Sequence, residues 1–256
     1  MQLYTEREGD GPSASILHGW GMNLRVFDLL RARLTRELRL TLVDLPGHGR
    51  SPWPADFSAA AELRALIDTL LPAETLIGWS LGGQIALEMA LATLGTSAAP
   101  KRLVLIASTP RFLAGDGWSA GLSQQTLRQF AMRLEQDPSG TVADFLGLQV
   151  RGSAHAHATE LALRRSLEQH GVAQPSALRA GLTQLVSTDL RDRLAELRIP
   201  ALVIGGMNDR VTPPAALEAL AQRLPHAQLT LLPRAAHAPF LSHSEEVAAA
   251  ILRFVA

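Results

Sequence analysis

The chain has 256 residues, 47% of them apolar, with 24 basic and 24 acidic side chains and no cysteine. Such a chain can bury one large core, and its zero formal charge argues against nucleic acid or an anionic membrane as a partner. The lack of cysteine excludes disulfides, thiolate–zinc sites and a cysteine nucleophile. The first ten residues lack the basic-then-apolar plan of a signal peptide, and no apolar stretch is long enough to span a bilayer. A cytoplasmic location is therefore expected.

Short apolar runs at 15–17, 40–43, 75–79 and 103–107 read as buried strands, with helical patterns at 24–38, 59–71 and 84–94 between them. That alternation predicts an α/β fold, a mostly parallel central sheet with helices on both faces. From 109 to 190 the alternation stops. The segment is helical in pattern, broken at 138–140, at Gly152 and at 171–175, and reads as a lid over the sheet's carboxyl edge, where open α/β sheets bind ligands. Strands return at 201–204 and 228–232, with helices at 214–224 and 244–254. Pro213 and Pro214 suit a helix start. The expected organisation is a core from 1 to 108, a helical lid from 109 to 190, and a second core part from 191 to 256.

Chemistry enters at Gly78-Trp79-Ser80-Leu81-Gly82, a G-x-S-x-G string between a predicted strand and a predicted helix. A strand that turns sharply into a helix presents the serine hydroxyl on a strained corner, and Gly78 and Gly82 keep Cβ atoms out of the crowded turn. The helix N-terminus behind it favours developing negative charge. A serine nucleophile needs a base, and the base an orienting acid. Asp209 follows the strand at 201–204 and His237 the strand at 228–232, in the order that this turn requires. Gly205 and Gly206 are expected to let the loop before Asp209 turn sharply. Asp44 is the rival acid, but its place beside the turn Gly47-His48-Gly49 suggests that it holds that loop.

Acyl transfer also needs donors for a tetrahedral oxyanion. The backbone N–H of Leu81 is one candidate. Trp20, in His18-Gly19-Trp20-Gly21, is the other, in a loop expected after the third strand. His18 reads as a brace for that loop and His243 as a flank of the last helix. His155 and His157 lack metal partners at a recognisable spacing. No H-E-x-x-H, G-x-G-x-x-G or G-x-x-x-x-G-K-[ST] occurs, so neither a metal nor a cofactor is expected.

With these residues in hand, the chain resembles the α/β-hydrolase family throughout. Within it, it resembles the pimeloyl-[acyl-carrier protein] methyl ester esterases of biotin synthesis, the BioH type. The resemblance rests on 17–21, 42–47, 78–83 and 235–240, on Phe145-Leu146-Gly147-Leu148-Gln149, and on Thr188-Asp189-Leu190-Arg191. It implies that Trp20, Ser80, Leu81, Phe145, Leu146, Gly147, Leu148, Gln149 and His237 line the substrate site. It further implies hydrolysis of a methyl ester on a pimeloyl chain held by acyl-carrier protein. Thr141, Val142, Ala143 and Asp144 bring no basic group to the lid before Phe145, which leaves Arg151, Arg164 and Arg165 as candidates to dock an acidic carrier. The alternatives are a carboxylesterase for short acyl esters without a carrier, a non-catalytic ligand receptor on the same fold, and a lyase or acyltransferase that excludes water. Ser80 argues against the dehalogenases and epoxide hydrolases of this fold, which use an aspartate nucleophile.

Overall fold

The computed structural model describes residues 2–256. The first half runs β1 (Thr5–Glu8), β2 (Ser13–Leu17), a 3-10 turn (Leu24–Phe27), α1 (Asp28–Leu34), β3 (Arg39–Val43), α2 (Ala59–Leu70), β4 (Thr75–Trp79), α3 (Leu81–Ala92) and β5 (Arg102–Ile106). Four helices follow: α4 (Gln124–Gln136), α5 (Pro138–Val150), α6 (Ala156–His170) and α7 (Pro175–Ser187). After a 3-10 turn (Arg191–Glu196) come β6 (Ala201–Gly206), α8 (Pro214–Arg223), β7 (Ala227–Leu232), α9 (Pro239–Ser242) and α10 (Ser244–Val255). The sheet order is β1-β3-β2-β4-β5-β6-β7, with only β1 antiparallel to its neighbour.

Side chains alternate across this sheet and feed two apolar layers. Leu76, Leu103 and Leu105 pack with Leu66 of α2, Leu87 of α3 and Leu217 of α8. Ile77, Val104 and Ile106 face the other way, onto Leu30 and Leu34 of α1 and Val247 and Ile251 of α10. Each such side chain, fully buried, contributes roughly 1.5–3 kcal/mol. The strand order reverses between β3-β2 and β4-β5, so the loops leaving β2 and β4 diverge above the sheet and open a crevice. Trp20 and Ser80 sit on those two loops.

Helices α4 to α7 lie between β5 and β6 in the chain. The segment leaving β5 and the one returning to β6 meet where Arg111 and Asp189 form an antiparallel bridge and a 2.8 Å ion pair. Hydrogen bonds from Arg191, with Arg111 nearby, hold the Asp189 carboxyl down at about 2. The end of α6 is also tied to the core: Asn23 Nδ2 donates to the Ser166 and Gly171 carbonyls, and His170 Nε2 lies 2.7 Å from Asp44 Oδ2.

Several sequence expectations change here. β1 gives no apolar signal because it is a charged edge strand, Thr5-Glu6-Arg7-Glu8, with Glu6 and Glu8 paired to Arg31. The continuous helix expected over 24–38 is a 3-10 turn followed by a shorter α1. Asn23 accepts from Arg25 N and tightens the first turn. The helix after Ser80 begins at Leu81, three residues before its amphipathic pattern does. The Trp20 loop follows the second strand of this chain, not the third. Gly205 and Gly206 lie within β6 rather than in a turn. A Cβ on Gly206 would sit 2.3 Å from the Ala235 carbonyl oxygen, so backbone packing requires that glycine, whereas one on Gly205 would meet only the tip of Leu217.

Candidate active site

Ser80 occupies the corner between β4 and α3 with φ 55° and ψ −119°, a conformation that L-residues rarely adopt. Its neighbours hold it there. The Ser80 N–H donates to the Ile106 carbonyl at 2.9 Å, and Ser108 Oγ donates to the Ser80 carbonyl at 2.8 Å. A Cβ on Gly78 would lie 2.3 Å from the Gly82 carbonyl oxygen, and one on Gly82 2.4 Å from that of Leu17. Both glycines are therefore steric requirements of the corner.

His237 Nε2 lies 3.0 Å from Ser80 Oγ, and His237 Nδ1 lies 2.8 Å from Asp209 Oδ2. The other Asp209 oxygen accepts the backbone N–H groups of Val211 and Thr212 at 2.8 and 2.9 Å. A carboxylate can only accept, so Nδ1 carries the proton and Nε2 is left to accept from the serine hydroxyl. All three side chains are buried, with Ser80 the most exposed at 8%. Asp44 is elsewhere: it accepts from Leu24 N and Arg50 N and meets His170, which holds the 47–49 turn in place.

The backbone N–H groups of Trp20 and Leu81 make no hydrogen bond within the chain among the described residues. Two features position the Trp20 loop. Its indole Nε1 donates to the Leu178 carbonyl of α7 at 2.8 Å, and Gly181 leaves the ring room, since a Cβ there would lie 2.9 Å from Trp20 Cδ1. Beneath it, His18 Nε2 accepts from Leu45 N at 3.0 Å, while its Nδ1 lies 2.9 Å from the Gly19 carbonyl. Burial, with His48 close by, pushes the His18 pKa well below the ordinary histidine value, so the ring is a neutral brace. Burial likewise pushes His48 down to about 4.

A narrow chamber of about 60 Å³ opens beside Ser80. Trp20 and Val211 line it from the core, Phe112 and Leu122 from the segment after β5, and helices α4, α5 and α7 supply the remaining walls. Leu127 and Phe130 come from α4, Phe145 and Leu148 from α5, and Leu182 and Leu185 from α7. Trp20 packs edge-on against Phe130 and Phe145, with ring centres 5.2 and 5.3 Å away. Apart from Ser80 and Thr126 the lining side chains are apolar.

The five residues from Phe145 to Gln149 do not share one face, because they are consecutive on a helix. Phe145 and Leu148 reach the chamber. Leu146 lines a separate groove between α5, α6 and α7, the space beside Gly147 is empty, and Gln149 reaches the site through its carbonyl, which accepts His237 N at 2.9 Å. Sequence reasoning missed the walls from α4 and α7. The spacing of Leu127 and Phe130, and of Leu182 and Leu185, marks apolar helix faces without showing what they face. Arg151, Arg164 and Arg165 are exposed, and Arg164 is paired with Glu160 at 2.7 Å.

Residues 16–250 match the model of the alpha/beta hydrolase family. A pimeloyl-[acyl-carrier protein] methyl ester esterase of Xanthomonas campestris pv. campestris is 42% identical over 248 residues, covering 97% of this chain and 96% of that protein. The protein of the same name from Nitrosospira multiformis is 36% identical, covering 99% and 98%. Among solved structures, an esterase from Exiguobacterium antarcticum superposes with a TM-score of 0.86 at 23% identity, covering 99% of this chain and 95% of that one, a likeness of fold. No helix among the described residues is long and apolar enough to cross a membrane. With a matching family model over most of its length and relatives of such identity, the chain belongs to the α/β-hydrolase family.

Proposed function

We propose that the chain is a serine carboxylesterase that hydrolyses the methyl ester of a pimeloyl chain carried on acyl-carrier protein, releasing methanol and a free carboxylate. The observation that carries the chemistry is the continuous hydrogen-bonded chain from Ser80 Oγ through His237 to Asp209, with Ser80 lining an apolar chamber. The names of the relatives at 42% and 36% identity support the substrate.

In this reading Ser80 Oγ attacks the ester carbonyl while His237 Nε2 takes its proton. The N–H groups of Trp20 and Leu81 receive the oxyanion, each worth on the order of 2.7–4 kcal/mol in the transition state. Asp209 stabilises the imidazolium. His237 then protonates the departing methoxide, and methanol leaves. A water molecule, activated by the same Nε2, attacks the acyl-enzyme and frees the acid. The methylene chain lies against Trp20, Phe145 and Leu148, with the carrier outside the lid, where Arg151, Arg164 and Arg165 attract its acidic surface.

The test compares two esters on one enzyme, methyl-pimeloyl carrier protein and a short aryl ester. The expected result is turnover of both, with methanol and pimeloyl carrier protein as products of the first. Charge reversal at Arg151, Arg164 and Arg165, or added salt, is expected to slow the carrier substrate alone. A robust short-ester activity with no turnover of the carrier-bound ester would instead support the carboxylesterase without a carrier.

A further inference from the structure

Trp79, the residue before the nucleophile, has no part in the chemistry just described, yet it touches both the base and the Trp20 loop. Its indole Nε1 donates to the main-chain carbonyl of His237 at 2.8 Å, across 158 positions of sequence. Its ring centre lies 5.6 Å from that of His237. On the opposite side the Trp20 loop packs against it: a Cβ on Gly19 would sit 3.1 Å from Trp79 Cε3 and 3.2 Å from Ser80 Cβ. The ring is 1% exposed and held edge-on by Phe27 and Phe240.

The bond to His237 completes a set. The His237 N–H donates to the Gln149 carbonyl, its carbonyl accepts from Trp79, Nδ1 meets Asp209 and Nε2 meets Ser80. Every polar group of the residue is engaged, so its backbone has no freedom that costs nothing. The rest of the loop that bears His237, between β7 and α9, is held by main-chain bonds from Asn208 N to the Ala235 carbonyl and from Ala154 N to the Arg234 carbonyl, both before the base. Trp79 sits in β4, in register with Ile106 of β5, at the rigid centre of the sheet.

We infer that Trp79 is a positioning residue for the base: its indole N–H sets the His237 imidazole at hydrogen-bond distance from Ser80 Oγ, by tying the base loop to the strand that carries the nucleophile. The inference rests on the catalytic reading of Ser80 and His237. Without the N–H, the carbonyl of His237 is buried and unpaired, and the loop relaxes to satisfy it. Proton transfer depends steeply on that geometry, and a displacement of about 1 Å costs on the order of 100-fold.

The test replaces Trp79 with 3-benzothienylalanine, which keeps the fused ring and puts sulfur in place of the N–H. A ring-fluorinated tryptophan at the same position keeps the donor and serves as the rescue. Active-site-titrated kcat, KM and the rate of Ser80 phosphonylation are measured on a short aryl ester, with melting temperature alongside. The expected result is a fall in kcat and in phosphonylation rate of at least about tenfold for the sulfur analogue, with KM within about twofold and full activity for the fluorinated one. A folded sulfur analogue with wild-type kcat would overturn the inference, as would equal losses in both analogues. If the sulfur analogue fails to fold, Trp79→Phe, which also keeps an aromatic ring without a donor, is read in the same way. Ser80→Ala separates the two levels: if it stays active, the catalytic reading itself fails, whereas an inactive Ser80→Ala beside an active sulfur analogue removes only the role of Trp79.

Discussion

The core and the helical insertion contribute to one site by different physics. In the core, Ser80, Asp209 and His237 are fixed by main-chain hydrogen bonds and by glycines that admit no side chain, so their positions follow from the sheet. The insertion offers chiefly apolar surface, Phe130, Phe145, Leu148 and Leu182 among it, braced outside by exposed ion pairs such as Arg133–Asp144 and Arg179–Glu135. Exposed pairs of that kind are worth about 0–1 kcal/mol each. The core therefore sets the reaction, and the insertion sets what fits. Two carbonyls of the insertion bind site residues directly, Leu178 to the Trp20 indole and Gln149 to the His237 N–H.

The sharpest way to break this comparison is to remove a core group. Ser80→Ala is expected to lower kcat by about 10⁴-fold or more, because the three residues act as a unit, while the melting temperature stays close to wild type. Asp209→Asn comes next, with a kcat loss on the order of 10³- to 10⁴-fold and little change in KM, since an amide at Nδ1 stabilises the wrong tautomer. Asp44→Asn should separate cleanly from it, costing roughly 3 kcal/mol of stability by disturbing a buried charged hydrogen-bond group but leaving kcat per folded molecule near normal. If Asp44→Asn instead abolished kcat and Asp209→Asn were silent, the acid would have to be reassigned. On the insertion side, Phe145→Ala and Leu182→Ala should change the ratio of kcat/KM between long and short acyl esters by about 5- to 150-fold, or 1–3 kcal/mol. Phosphonylation of Ser80 by a small reagent should stay within a few-fold of wild type. Equal losses in both assays would mean that the insertion also sets the reaction.

The same division explains what was legible in the sequence. Ser80, Asp209 and His237 could be named because core geometry demands particular residue types at particular chain positions, and Gly78 and Gly82 have no substitute. The strands showed because both faces of the sheet are buried. β1 stayed hidden because an edge strand is paired on one side and carries charge, so no apolar alternation marks it. The chamber walls were illegible for a different reason. Leu127, Phe130, Leu182 and Leu185 satisfy helix periodicity equally well in any packing, and which wall they form depends on how α4 and α7 cross, which no local pattern records. The resemblance implies five consecutive site residues in α5, and the 100° step of a helix turns only Phe145 and Leu148 of them into the chamber wall.

The two regions should also differ in how pH unsettles them, with the smallest effects and opposite signs. In the core, His18 and His48 are buried neutral, with His48 pushed down to about 4. Unfolding restores an ordinary value of about 6.5, so the unfolded chain binds the extra protons, and stability present above pH 6.5 is lost as pH falls towards 4. His48 alone accounts for at most about 3 kcal/mol of this, and His48→Gln should flatten the acid limb of a urea-midpoint profile. Under the insertion the sign reverses. Burial, helped by Glu88, raises the Glu62 carboxyl to about 7, while Glu88 itself accepts from Gln184 and Thr188 of α7 and its exit. Here the folded state favours the proton, so stability is fully present below about pH 4.5 and is lost as pH rises through 7. Glu62 keeps some contact with solvent, which reduces the effect to about 1–2 kcal/mol. Glu62→Gln should therefore stabilise the protein at pH 8 and change little at pH 5, with kcat unaltered at either. A Glu62→Gln protein no more stable than wild type at pH 8 would remove the carboxyl pair as the alkaline weak point beneath α7.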